Sequence, residues 1–291
     1  MTLALLLQVA VALAPVEPVS YRLGVWGDSQ EGHQVFAQVC RRFAAERVDG
    51  LLSLGDLIQH QSLPESEWPL RFLAPAAPLL HLPRLGTRGN HDDALGWSIC
   101  ANSIPVPVLP GGGQWHALTL GPVRFLVLDS NVETYALRVS MHPGGAQRAF
   151  VEAEVSRPEW RLAPHRVALW HHPVMTEQWA GCYYPPWGGA RADPDWLWCM
   201  DRLAAAGCSL CLQGHSHSYQ RGAWRGMAWV ITGGGGGWLD QTRCGDLPEI
   251  TVNAGAGRQE HHYLTLDVTP WALTLTAKRI DGTEFDHVRL P

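Results

Sequence analysis

The stretch YRLGVWGDSQ, residues 21–30, is an apolar run that stops at an aspartate and turns at once into polar sequence. Read as a strand, it carries Asp28 to its carboxyl end. The same grammar recurs in DGLLSLGD (49–56), LPRLGTRGN (82–90), VRFLVLDS (123–130), RVALWHHP (166–173) and CSLCLQGH (208–215). Short, continuously apolar and rich in Val and Leu, these runs predict strands buried on both faces. Polar clusters close five of them: GDSQ (27–30), GDLIQ (55–59), GNHD (89–92), HHP (171–173) and GHSH (214–217). Loops at the carboxyl ends of strands converge in α/β sheets, so the five clusters point to one shared site.

Helical sequence lies between the strands. QVFAQVCRRFAAE (34–46) sets Val35, Phe36, Val39 and Phe43 on one helical face. A second helix, WLWCMDRLAAAG (196–207), has its stop at Gly207. QWHALTLGPVRFLVLD (114–129) predicts a hairpin turning at Gly121-Pro122, and HHYLTLDV with ALTLTAKRI (261–280) predicts a late pair closing an outer edge. The alternation gives an α/β fold, α+β by some schemes. No linker or repeat divides the chain, so one domain is expected over residues 20–291, after an apolar segment at 1–19.

Composition narrows the function. With 46% hydrophobic and 17% charged residues, the 291-residue chain has the makeup of a globular protein. A net charge of -5 without a basic stripe gives no reason to expect specific binding of nucleic acid. The basic residues are 21 Arg and one Lys, Lys278, which disfavours a P-loop or a Schiff-base enzyme.

The opening run MTLALLLQVAVALA (1–14) has the length and the Ala-Leu-Ala ending of a secretory signal, so export to the periplasm or medium is expected. Against that, it carries no Arg or Lys and is followed by Pro15; a short apolar strand or an uncleaved anchor is the alternative. It is too short for a stable membrane span. Of seven cysteines, Cys100, Cys182 and Cys244 lie in loop-like sequence and are the expected disulfide partners. Cys208 and Cys211, read as strand residues three apart, are expected on opposite faces as buried thiols rather than as a redox or zinc pair.

Asp28, Asp56, Asn90, His171, His215 and His217 form a mixed oxygen and imidazole set, which suits Zn, Mn or Fe better than Ca or Mg. A carboxylate has two oxygens, so Asp56 can bridge ions about 3.5–4 Å apart, as in two-metal hydrolytic sites. Singly, a Gly-Asp pair or a His-x-His is a turn or nothing; their joint order at strand ends carries the specificity. The glycine run 233–237 lacks the GK[ST] of a P-loop and is expected to lie against the site, where a Cβ would clash. The aromatic and proline-rich stretch 176–198 is either a lid or a self-packed loop.

Together, GD, GD, GNHD, HHP and GHSH resemble the calcineurin-like metallophosphoesterases, in particular the purple-acid-phosphatase-like branch, from Tyr21 to the C-terminus. The resemblance extends to MAWVITGGGGGW (227–238) and to the closing strands. It implies a four-layer α/β/β/α sandwich of two mixed sheets flanked by helices, and two transition-metal ions. It assigns Asp28, Asp56 and His217 to the first ion, and Asp56, Asn90, His171 and His215 to the second. His91 matches a family histidine that acts beside the metals, assisting the leaving group or holding a phosphoryl oxygen. His172 is expected to point away. Asp92 either orients His91 or caps a helix; Arg88 either clamps phosphate, together with Asn90, or pairs on the surface. His60, His261 and His262 also lie near these loops. The family's histidine two places after the first aspartate is Gln30 here, and the purple acid phosphatase tyrosine is Gln59. Gln30 is therefore either a weak amide ligand or a partner of metal-held water, and no purple colour is expected.

The implied activity is hydrolysis of a phosphorylated substrate by metal-activated water, monoesters favoured. A phosphodiesterase or nuclease, a phosphoprotein phosphatase, and a non-catalytic metal- or ligand-binding module are the rivals.

Overall fold

The computed structural model describes residues 19–103, 114–131, 140–178, 193–240, 250–252 and 259–291. Residues 1–18 and 179–192, with Cys182, and also Cys244, lie outside them.

Two mixed sheets pack face to face. The first has six strands in the order β13-β12-β11-β1-β2-β3, and the second seven in the order β10-β8-β9-β7-β6-β5-β4. In the first, β1 (Tyr21–Trp26), β2 (Gly50–Ser53) and β3 (Arg84–Gly86) run parallel. In the second, β5 (Val123–Val127), β6 (His165–Leu169), β7 (Leu210–Gln213) and β9 (Met227–Thr232) do the same. The hairpin of β4 (His116–Leu120) with β5 and the antiparallel β8 (Tyr219–Trp224) and β10 (Ile250–Val252) complete that sheet. The late pair, β11 (His262–Thr269) and β12 (Ala272–Arg279), does not form the edge: β11 pairs with β1, and β13 (Glu284–Leu290) lies outermost.

Three apolar layers hold these sheets. Val25, Leu52, Leu54, Phe125, Leu169, Leu212 and Leu264 fill the space between them. Helix α1 (His33–Ala45) covers the outer face of the first sheet through Phe36, Val39, Cys40 and Phe43. Helices α2 (Ala146–Glu154), α3 (Pro158–Leu162) and α4 (Pro194–Ala205) cover the second. The order helix, sheet, sheet, helix follows because each parallel strand is apolar on both faces and must be covered on both. Asp193 caps α4 by accepting the Asp195 N–H at 2.8 Å, and Gly207 takes a left-handed φ of 74° just beyond its end.

Cys208 and Cys211 are buried free thiols, as expected, but strand alternation is not what places them. β7 begins at Leu210, so Cys208 precedes the strand and the alternation rule does not reach it. Cys208, Cys211 and Cys199 lie together under α4, and burial pushes the Cys208 thiol up to about 12. Cys100 is a free, half-buried thiol.

His262 ties the sheets together. Its Nδ1 faces the Glu260 carbonyl at 2.7 Å and therefore carries the hydrogen, while Nε2 accepts from Thr232 Oγ1 at 2.9 Å. Burial lowers its pKa to about 4. The unfolded chain thus binds a proton that the folded chain refuses, and stability is lost as pH falls from about 6.5 toward 4. His262→Gln should remove about 1–2 kcal/mol of the stability lost between pH 7 and 5. Urea midpoints of both proteins at the two pH values measure this; equal losses would refute it.

Candidate metal centre

The parallel strands of both sheets point their carboxyl ends at one place. Asp28 follows β1, Asp56 follows β2, Asn90 follows β3, His171 follows β6, and His215 and His217 follow β7. The two sheets are sewn together here. The Asp28 carboxylate accepts the backbone N–H of His215 at 2.9 and 3.0 Å, and His171 Nδ1 donates to the Leu54 carbonyl at 2.7 Å.

Strain concentrates at the same spot. Asp28, Gln30, Asp56 and His215 all have left-handed backbones, with φ of 60°, 34°, 55° and 68°. A left-handed residue turns its side chain sharply off the strand direction, and here the turns bring donors from separate loops together. Side chains at such φ persist only where surrounding contacts enforce them.

One atom each of Asp28, Asp56 and His171 lies within 4.8 Å of the others, and so do atoms of His171, His172 and His215. His171 Nε2 is 3.3 Å from Asp56 Oδ2, and His215 Nδ1 is 3.2 Å from His171 Nε2. His217 Nε2 is 3.5 Å from Asp28 Oδ1, with its Nδ1 fixed by the Trp238 carbonyl. Carbonyls holding one ring nitrogen of His171 and His217 aim the other at the carboxylates, the usual orientation of metal-binding imidazoles.

The residues fit a cation. Asn90 Oδ1 is buried with no hydrogen-bond partner, a costly state that coordination would relieve. Burial pushes the Asp28 pKa up. Burial also opposes the charges of Asp56, His171 and His217. The facing ions nevertheless prevail, holding Asp56 well below the carboxylate range and raising His171 to about 9 and His217 to about 10. The facing carboxylates thus favour positive charge at this point, the charge that a bound cation would supply.

His91 is set beside this cluster. Its backbone N–H donates to Asp56 Oδ1 at 2.8 Å, and its Nδ1 faces the Gln59 carbonyl at 2.7 Å. Buried Glu67 in turn accepts the N–H groups of Gln59 and His60 at 2.8 and 3.2 Å.

Four expectations change in the structure. Asp92 neither orients His91 nor caps a helix; the cap is Asp93, which accepts from Gly96 N. Its carboxylate instead accepts the N–H groups of Asp56, Leu57, Ile58 and Gly89 at 2.8, 2.8, 3.2 and 2.9 Å. Arg88 is no rim clamp and no surface pair. It is 2% exposed and reaches Asp129 at 3.5 Å and the Asp92 carbonyl at 3.3 Å. Gln30 takes a role outside both expectations: its Nε2 donates to Asp56 Oδ2 at 2.8 Å and orients that carboxylate. His172 does not point away: β6 ends at Leu169, and the His172 ring stands 4.3 Å from that of His215, with Nδ1 on Ser130 Oγ at 2.8 Å.

The end of β5 was overlooked. Asp129 and Ser130 receive Arg88 and His172, and the LDS ending of 128–130 carried the same strand-end signal as the five clusters. Glu67 had no such signal. The glycine run behaves as expected: a Cβ on Gly233 would stand 2.1 Å from the Ser216 carbonyl oxygen and 3.0 Å from Asp28 Oδ2. His60 contributes only its backbone to Glu67, and His261 Nδ1 meets the Gly234 carbonyl at 3.3 Å.

Because Asp92 gathers four buried N–H groups, Asp92→Asn should lower stability by about 2–4 kcal/mol and weaken metal binding. Chemical denaturation and metal titration of the variant test this; wild-type values in both would remove Asp92 from the scaffold of the centre.

Several solved structures share the fold. The purple acid phosphatase PPD1 of yellow lupin superposes with a TM-score of 0.72 at 15% identity, covering 94% of this chain and 54% of the lupin protein. GAP50, the anchor in the inner membrane complex of Plasmodium, gives 0.66 at 14% identity, over 93% of this chain and 88% of its own. A dimetal phosphatase of Danio rerio gives 0.57 at 12% identity, over 94% and 99%. This chain therefore spans about half of the lupin enzyme. No curated protein matches the sequence. The calcineurin-like phosphoesterase family model matches residues 21–219, which include every donor gathered above. The chain belongs to the calcineurin-like phosphoesterases.

Proposed function

We propose that the protein hydrolyses phosphate monoesters with water activated between two transition-metal ions, Fe, Mn or Zn. The observation that carries this reading is the joint presence of a buried, partnerless Asn90 oxygen, a carboxylate and imidazole cluster, and His91 held beside it. Bound ions would supply Lewis acidity and a nucleophilic water near neutral pH.

Asp28, Asp56 and His217 would hold one ion, and Asp56, Asn90, His171 and His215 the other. The Asp56 carboxylate already receives Gln30 and the His91 backbone, so its oxygens are oriented before any ion arrives. Because Nδ1 of His91 carries a hydrogen toward Gln59, Nε2 is the atom that meets substrate; as the imidazolium it donates a proton to the leaving alkoxide or a hydrogen bond to the phosphoryl group, and the neutral ring left by proton transfer is reprotonated from solvent. Arg88, buried on Asp129, is not available to clamp phosphate. The preference for monoesters rests on likeness to phosphatases and is an argument by analogy.

Asp56→Asn and His91→Ala should both purify folded. The first should lose metal and turnover, and the second should keep metal while turnover falls by about 10²–10⁴. An aryl monophosphate should be cleaved faster than its bis-aryl diester. Full activity in metal-depleted Asp56→Asn, or a preference for the diester, would overturn the corresponding part of the proposal.

We also propose export, on the apolar run 1–14. Expression with and without residues 1–19, followed by fractionation, tests it: retention of both forms in the cytoplasm would refute export.

A further inference from the structure

Trp238 follows the glycine run and stands with 82% of its surface in water. Its backbone is held tightly against the metal centre. Its N–H donates to Glu31 Oε1 at 2.9 Å, and its carbonyl accepts from His217 Nδ1. On one side, the Gly237 N–H donates to the Asp28 carbonyl at 2.7 Å. On the other, Asp240 Oδ2 accepts the His217 N–H at 2.8 Å, and its carbonyl accepts from Gln178 at 3.3 Å. The residue is thus locked to two of the donors while its indole is left open: no described residue hydrogen-bonds to it or stacks on it.

An exposed tryptophan alone means little, since single apolar side chains on a surface are ordinary. Trp271 is such a case, 76% exposed at the turn between β11 and β12, by the end of the sheets where β6 begins. Trp238 differs in two respects. Its carbonyl is bonded directly to His217, a donor of that site, and the contacts that fix its backbone also fix that donor. A flat apolar face held beside a centre that grips phosphate favours a substrate whose other half is itself flat.

We infer that Trp238 forms a subsite for the leaving group, and that the protein prefers phosphate esters of aromatic or heteroaromatic alcohols. The inference rests on the proposed hydrolysis and adds the class of alcohol. The indole stacks on the departing ring, offset or edge-on, and takes no part in bond breaking. Trp238 is a specificity residue, because it touches only the part of the substrate remote from phosphorus.

The test compares 1-naphthyl phosphate with ethyl phosphate, and benzylphosphonate with ethylphosphonate as binding probes that are not cleaved. In Trp238→Ala, KM for the naphthyl ester should rise about tenfold, as expected for loss of one stacking contact. KM for the ethyl ester should rise by clearly less, so that the naphthyl-over-ethyl preference falls several-fold; Trp238→Phe should restore most of that preference, and Trp271→Ala should leave it unchanged. Calorimetry should show the benzyl probe, and not the ethyl one, losing affinity by a similar factor. Equal effects on both members of a pair, or none, would overturn the inference. If the wild type cleaves neither ester, the hydrolytic reading fails, and the phosphonate pair still decides whether Trp238 receives a ring.

Discussion

The Asp28 carboxylate, reached from the second sheet by the backbone N–H of His215, is the contact on which the site depends. Asp28 ends a strand of one sheet and His215 follows a strand of the other, so the bond closes the sandwich at its functional end. Everything that collects metal donors is arranged around it. His171, from the second sheet, is hung from the Leu54 carbonyl of the first, and Thr87, after β3, donates to the Leu128 carbonyl after β5 at 2.7 Å. The apolar layer between the sheets holds them face to face, but apolar contacts are non-directional. Register between the sheets to within the tolerance of a metal site has to come from directional bonds, and these bonds lie at the strand ends.

Gathering the donors also gathers charge that the interior does not favour. Two carboxylates and three imidazoles share a volume from which water is excluded, and burial opposes the charged form of each. The conflict resolves unequally. Asp56 and His171 keep their charges by facing each other, whereas burial and the neighbouring imidazoles push His172 and His215 far below the normal range. Neutral His215 is the form an ion requires as a ligand, so this imbalance prepares one side of the site for a cation. Asp92 limits the cost: by tying Asp56, Leu57, Ile58 and Gly89 through one carboxylate, it fixes two ligand loops with a single side chain.

The fold class and the convergence of Asp28, Asp56, His171, His215 and His217 were legible in the sequence because both follow from one rule, that buried parallel strands are apolar and present their polar residues at their ends. What was not legible depends on backbone direction past the strand end. His172 was expected to face away by alternation, but alternation stops at Leu169 and the bend turns the ring back toward His215. Gln30 sits at a φ of 34°, which no local pattern announces, and this conformation brings its amide to Asp56. Arg88 and Asp92 look alike in sequence as polar residues beside a ligand. Only the position of β5, which presents Asp129, decides that Arg88 is internal. Glu67, remote from every motif, is visible solely through the turn it braces.

The Plasmodium neighbour is described as an anchor, so this scaffold alone does not decide between catalysis and binding. Backbone strain separates the two better than the fold does. Outside the site, the non-glycine residues with left-handed φ among the described residues are Arg47, just past the end of α1, and Arg225, in the two-residue turn of the β8–β9 hairpin. Both have an ordinary local cause. Asp28, Gln30, Asp56 and His215 have none, and each costs on the order of 1 kcal/mol or more. A module that needed only its surface would gain stability by relaxing them. Their retention, all four on donors or on the residue that orients one, is accounted for by the need to hold charge at a fixed point, which is what a metal centre demands of its backbone.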